Sequence, residues 1–353
     1  MDFGFHCGVY STIHKDAAMA EERGFTHALL YDSQMIYGDV FAGLCVCATN
    51  TKKLKLGPGV TNPASRIAPA TASAIATVNV FAPGRAVLGI GTGNSTRRTL
   101  GMPATKLSEL RECVEVCRGL LDGKQVLYRE GDRRREIRFL NPEGALNIKD
   151  RIPIYISGAG PKALELAGEI GDGVILWGIS DENLIKYHLD HARRGAERAG
   201  RKFEDLYVIC MTACHVTKPG ESLESIRAAV GYMAISGLNL IALSVSKNPE
   251  VLPAEFRADI MGTLDAYRTP GESIERRHLE RYTEYGTSLQ QLHESMVTER
   301  LMKATSIVGS PQECVETIKK MERAGVHQVT VQIGNVNQRE NLIGFSKAVI
   351  ENY

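Results

Sequence analysis

Several short apolar runs in this chain end in glycine, hydroxyl or imidazole groups, the residue types that bind anions and move protons. Ser157-Gly158-Ala159-Gly160-Pro161 leads from such a run into a helical pattern, so small residues would expose backbone N–H groups at the positive end of a helix, a cradle for phosphate. Gly91-Thr92-Gly93-Asn94-Ser95 adds a second turn with hydroxyls and unhindered N–H groups. Either loop alone fits tight strand-to-helix packing equally well, and the two together favour a phosphorylated ligand. Gly57-Pro58-Gly59-Val60-Thr61-Asn62-Pro63 bends sharply and lets the backbone approach something closely, because its prolines fix φ and withhold N–H groups. His6 titrates near neutrality and is a candidate general acid or base; the alternative is a hydrogen-bonded histidine inside the fold. Ser33 and Gln34 can hydrogen-bond substrate or cofactor, and Asp32 can cap the segment that follows. Trp177, the single tryptophan, followed by Gly178, can stack on a ring system or simply pack, and His215 is a further residue that can face a site.

No metal site is expected. Cys113 and Cys117 stand i, i+4 with no histidine near them, which reads as core packing. His188 and His191, i, i+3 beside Arg193 and Arg194, read as the solvated face of a helix.

The elements that would position these groups repeat. Candidate strands run from Asp2 to His6, His27 to Tyr31, Lys53 to Gly59, Arg85 to Ile90, Ile152 to Ser157, Gly173 to Trp177, Leu206 to His215 and His327 to Ile333. Helical periodicity follows most of them, over Lys15 to Glu22, Ala68 to Val80, Lys106 to Leu121, Pro161 to Ile170, Glu182 to Ala199 and Ser310 to Ala324. Strand–helix alternation predicts an α/β fold with a parallel sheet, and eight repeats predict a single (β/α)8 TIM barrel over residues 1–353. The candidate residues then converge on the C-terminal rim of the strands, where such barrels do their chemistry. Two segments break the rhythm. Lys124 to Leu140 reads as a β-hairpin turning at Gly131-Asp132, with its arginines on a solvated face. Ser236 to Leu301 reads as a mostly helical insertion between the seventh and eighth strands that covers the mouth of the site or supports a dimer.

The chain is long enough, at 353 residues, for a barrel with insertions. A hydrophobic fraction of 43% and a charged fraction of 24% are those of a soluble globular protein. With 42 basic and 41 acidic residues, the net charge of +1 offers no field for nucleic acid or an anionic membrane surface, which leaves small-molecule chemistry. Eight cysteines without a CxxC pair predict reduced thiols and a cytoplasmic location. No signal-peptide pattern opens the chain, and no apolar run of the ~18 residues needed for a membrane span is expected.

The strings KLGPGVTNP (55–63), Arg66, PATASAIAT (69–77), GRA (84–86), LGIGTG (88–93), IPIYISGAGP (152–161), Leu166-Ala167-Gly168 and Asp172-Gly173 resemble the bacterial luciferase-like superfamily. Within it the chain is most similar to the methylenetetrahydromethanopterin reductase branch, which uses the deazaflavin coenzyme F420. The resemblance covers everything except the insertion. It implies a TIM barrel that holds F420 or FMN at the rim, with a backbone bulge against the central ring and a non-proline cis peptide at Gly59-Val60. It further implies that Thr61 and Asn62 touch the ring edge, while Gly91 to Ser95 and Ser157 to Gly160 hold ribityl and phosphate groups. The Gly-Ala-Gly-Pro turn is closer to the deazaflavin enzymes than to the monooxygenases, so F420 is preferred over FMN. A deazaflavin transfers hydride and reacts poorly with oxygen, which implies a reductase or dehydrogenase acting on a small organic substrate. The alternatives are an FMN-dependent monooxygenase fed by a separate flavin reductase and a non-catalytic flavin-binding protein. A homodimer or higher homo-oligomer is also expected.

Two departures bear on the substrate. Asp32-Ser33 stands where sugar-phosphate and alcohol dehydrogenases of the superfamily have Asp-His, which argues against sugar-phosphate oxidation. His6 stands where the methanopterin reductases have a carboxylate.

Overall fold

The computed structural model describes residues 1–264, 266, 278–279, 296–334 and 337–353. Its first half alternates strand and helix: β1 (Asp2–Cys7), α1 (Ile13–Glu22), β2 (His27–Leu30), α2 (Val40–Asn50), β3 (Lys55–Pro58), α3 (Ala68–Phe81), β4 (Leu88–Ile90), α4 (Asn94–Arg98) and α5 (Leu107–Leu121). An antiparallel hairpin of β5 (Val126–Glu130) and β6 (Arg133–Ile137) interrupts the pattern where expected. The alternation resumes with β7 (Ile154–Ser157), α6 (Pro161–Ile170), β8 (Gly173–Trp177), α7 (Glu182–Arg198) and β9 (Tyr207–Val216). After α8 (Leu223–Val245) and α9 (Ala254–Gly262) come α10 (Glu299–Thr305), β10 (Ser306–Gly309), α11 (Pro311–Arg323), β11 (Gln328–Gln332) and α12 (Gln338–Ala348).

Eight parallel strands form the barrel in the order β3-β2-β1-β11-β9-β8-β7-β4. Parallel bridges Leu56–Ala86 and Thr61–Ile90 bring β3 beside β4 and close it. Alternation along each strand separates two cores. Leu29, Val87, Tyr155, Ile175, Ile209 and Met211 fill the barrel interior, while their neighbours, such as Ala28, Leu30 and Leu88, join the larger core under the helices. The helices start where their sequences provide caps. Asp181 accepts from the N–H groups of Asn183 and Leu184 at α7, and Ser310 with Glu313 forms a capping box at α11.

Three expectations change. β10, which pairs with the C-terminal half of β9, has no counterpart among the eight predicted strands. Ser236, the expected start of the 236–301 insertion, falls inside α8, and the part of that segment at residues 265, 267–277 and 280–295 lies outside the described residues. By length and composition α8 is also apolar enough to cross a membrane, contrary to the expectation that no such run exists. Its apolarity has a local cause, since two thirds of its most apolar stretch is buried inside the fold.

Candidate active site

A cavity of about 1020 Å³ opens at the C-terminal ends of the strands and is roofed by α8. It is polarised. Tyr31, Tyr37, Trp177 and Tyr232 line its aromatic part, whereas the loops after β4 and β7 contribute glycines, hydroxyls and the side chains of Arg98 and Lys162.

The bulge after β3 forms one wall, with Gly59 and Val60 facing the cavity and a cis peptide between them. Glycine is required where β3 and β4 converge, because a Cβ on Gly57 would lie 2.1 Å from the Val87 carbonyl oxygen and one on Gly89 2.2 Å from that of Pro58. The bulge is pinned from behind. Gly59 N–H donates to the Leu30 carbonyl (2.7 Å), and Thr61 Oγ1 donates to Asp32 Oδ2 (2.6 Å), which also accepts from Arg66 Nη1 (2.7 Å). Asn62 Oδ1 accepts from the N–H groups of Ala64 and Ser65.

At the floor stands Tyr31, with His6 directly behind it. His6 is completely buried, and burial drives its pKa down to about 3, partly offset by the backbone at Thr212 and Thr330. The imidazole is therefore neutral. Its Nε2 lies 3.1 Å from the Thr212 carbonyl oxygen, which can only accept, so Nε2 carries the proton. Nδ1 is then a bare lone pair, and the Tyr31 hydroxyl, 2.5 Å away, donates to it. The His6 ring also packs 5.4 Å from that of Trp177, whose indole N–H is buried without a partner.

Residues 8–328 match the model of the luciferase-like monooxygenase family. The chain belongs to that family. It is 31% identical to the 5,10-methylenetetrahydromethanopterin reductase of Methanolobus tindarius, covering 89% of this chain and 87% of that protein. It is 32% identical to the enzyme of the same name from Archaeoglobus fulgidus, over 88% and 86% of the two chains. The solved coenzyme F420-dependent tetrahydromethanopterin reductase of Methanopyrus kandleri superimposes with a TM-score of 0.72 at 25% identity, covering 100% of this chain and 99% of that one.

In this luciferase-like barrel most predicted site residues do reach the cavity: Ser33, Gly59, Val60, Gly91, Thr92, Gly93, Asn94, Ser95, Ser157, Gly158, Ala159, Gly160 and Trp177 all line it. Others do not. Thr61 and Asn62, expected at the ring edge, are fully buried behind the bulge, because Asp32 and the turn at Ala64-Ser65 engage their side chains. His6 is screened by Tyr31. Gln34 turns away to donate to the Thr96 carbonyl (2.7 Å), while Ser33 pairs with Ser95 (2.7 Å). Gly178, with φ +64°, serves the approach of α8: a Cβ there would meet Gly237 Cα at 2.8 Å.

The helical histidines are a correction as well. His188 and His191 are buried rather than solvated, since α7 packs closely on α6, where a Cβ on Gly195 would lie 1.9 Å from the Glu165 carbonyl oxygen. His188 Nδ1 bonds the Leu184 carbonyl at 2.7 Å, and burial lowers its pKa to about 4. His215 pairs with Glu221 (3.0 Å) away from the cavity, and Cys117 Sγ donates to the Ala68 carbonyl (3.4 Å). Sequence reasoning passed over Tyr31, Tyr232, Arg98 and Lys162. For Tyr31 a signal existed, because a polar aromatic at the last position of a predicted barrel strand points at the rim.

Proposed function

We propose that the chain is an F420-dependent oxidoreductase that transfers hydride between the deazaflavin and a small organic substrate. One observation carries the reading: the solved reductase that aligns over the whole of this chain is named for its dependence on F420. The site suits such a cofactor. A cavity of about 1020 Å³ is large enough for a tricyclic ring and a substrate together. Close approach of a ligand to the backbone is possible at Gly91 and at Gly158 and Gly160, and the α6 N-terminus favours a phosphate beside them. The unpartnered Trp177 N–H adds a donor at the ring end. When bound, F420 supplies the carbon that gives or takes hydride.

The chain's own groups would then do the rest. Gly59 and Val60 back the ring, and Tyr31, Tyr37, Trp177 and Tyr232 enclose an aromatic compartment for the reactants. The Tyr31 proton is committed to His6 Nδ1, so the Tyr31 oxygen offers a lone pair to an N–H or O–H of the ligand. An N–H or O–H of the ligand can hydrogen-bond to that oxygen, with the Thr212 carbonyl holding the neutral His6 ring in place behind it. This assigns the polar contact with the reactants to Tyr31 and a supporting role to His6.

Binding titrations with F420 and with FMN test the reading, monitored near ~420 nm for the deazaflavin and ~450 nm for the flavin. Perturbation of F420 in preference to FMN is expected. Preference for FMN would instead support the monooxygenase reading with a separate flavin reductase, and binding of neither would overturn both.

A further inference from the structure

Arg98 closes α4, and its side chain lines the cavity at the end formed by the loops after β4 and β7. Its Nε is buried without a hydrogen-bond partner, and among the described residues the guanidinium has no ion-pair partner either. Arginines elsewhere with a partly buried head are engaged: Arg66 by Asp32 and Asp39, Arg85 by three oxygens of α2 and β3's approach, Arg118 by Asp172. A permanently charged guanidinium that lines a cavity, with its Nε shielded from water and no protein partner, is suited to an anion supplied from outside.

The surroundings agree. Lys162 and Lys247 line the same cavity, and neither has an ion-pair partner among the described residues. The two acids on the lining are already occupied, Asp32 by Arg66 (2.7 Å) and Glu165 by Arg198 (3.0 Å). His191 also reaches the lining with its Nδ1 buried and unpartnered, 3.9 Å from Glu165 Oε1 and beyond hydrogen-bond distance. β4 and β7 are neighbouring strands, so Arg98 and the α6 N-terminus with Lys162 come from adjacent loops. Tyr31 and Tyr37 follow β2, Trp177 ends β8 and Tyr232 lies on α8. A ligand with a planar ring at one end and an anionic tail at the other matches this polarity.

We propose that Arg98 binds the anionic part of the cofactor that lies beyond its ribityl chain, a phosphate ester or the carboxylates attached to it, with Lys162 beside it. The proposal rests on the F420 reading above and adds the residue that distinguishes the complete cofactor from its ring and ribityl portion.

The test compares the affinity of the full-length protein for F420 with that for the analogue that ends at the ribityl hydroxyl, by titration of the deazaflavin absorbance and by calorimetry. One charge-assisted bidentate contact is worth roughly tenfold in affinity or more, so Arg98→Gln should weaken F420 by at least about tenfold and leave the truncated analogue within about twofold. Arg98→Lys should recover part of the loss, and added salt should narrow the wild-type preference for F420. Circular dichroism and the thermal midpoint should be unchanged in both variants, since Arg98 makes no contact that folding depends on. Equal losses for the two ligands, or no loss for either, overturn the role of Arg98 while leaving the cofactor reading intact. Failure of the wild-type protein to bind either deazaflavin overturns the cofactor reading and this proposal with it.

Discussion

Tyr31 and His6 show how a buried residue can orient a half-buried one that lines the cavity. Nothing about His6 is unusual except that the Thr212 carbonyl dictates which of its nitrogens keeps the proton. That choice orients the Tyr31 hydroxyl toward Nδ1. Removing the hydroxyl in Tyr31→Phe should lower kcat by ~10²-fold, the loss typical of one oriented hydrogen bond to a reacting group, and change the F420 dissociation constant little. His6→Gln or His6→Asn should also depress turnover far more than cofactor affinity. Steady-state kinetics alongside a binding titration separate the two effects, and an unchanged kcat in both sets of variants would end the roles given to Tyr31 and His6. The sequence placed His6 correctly at the end of β1 but could not reveal what covers it, because that depends on β2, β9 and β11 meeting around it. Thr61 and Asn62 illustrate the same limit. Their position next to the bulge is readable, whereas the Thr61 side chain is turned by Asp32, 29 residues earlier in the chain, and that of Asn62 by the turn at Ala64-Ser65.

Among the elements, α8 does most to turn a barrel rim into a closed compartment. It crosses the mouth so tightly that glycine is needed on both sides: a Cβ on Gly237 would sit 2.7 Å from the Gly178 carbonyl oxygen, and one on Gly160 would sit 2.5 Å from Ser244 Cβ. Gly237→Ala is therefore expected to cost about 1–3 kcal/mol of stability through overpacking, and to weaken F420 binding by displacing the roof. Gly262→Ala is a control, since no atom lies within 4 Å of a Cβ there. Equal denaturation midpoints for the two variants would show that the roof tolerates displacement. The barrel strands and most helices could be read from the sequence because apolar alternation and caps such as Ser310 with Glu313 are local signals. α8 could not be delimited, since it is apolar around most of its circumference and its burial depends on a barrel distant in sequence. β10 is only four residues long and follows α10 without a turn signal, so it exists through its pairing with β9 rather than through its own pattern.

For the molecule as a whole, packing polar rings inside an apolar shell couples stability to pH. His6 and His27 lie within the barrel and His188 lies between α7 and the body of the fold, all at least nine-tenths buried. Burial is the leading cause that lowers each pKa, to about 3 for His6, about 3 for His27 and about 4 for His188. In the unfolded chain each would take up a proton near its ordinary value of 6.5. Between 6.5 and those lowered values the unfolded state thus binds more protons than the native state, and stability falls as pH drops. It is fully present above about pH 6.5, and at about pH 5 each histidine would account for a loss of up to about 2 kcal/mol. Carboxylates whose pKa the fold lowers, such as Glu21, Asp39 and Glu169, lose their contribution only below their ordinary range, which leaves the interval between about pH 7.5 and about pH 5 to the histidines. Urea midpoints measured at about pH 7.5 and about pH 5 should differ markedly, and His188→Gln should remove part of the difference while keeping a donor for the Leu184 carbonyl, with His191 and His327, also lowered by burial, adding to the remainder. If the midpoint is the same at both pH values, these rings are protonated in the native state. The neutral His6 on which the orientation of Tyr31 depends would then be lost as well.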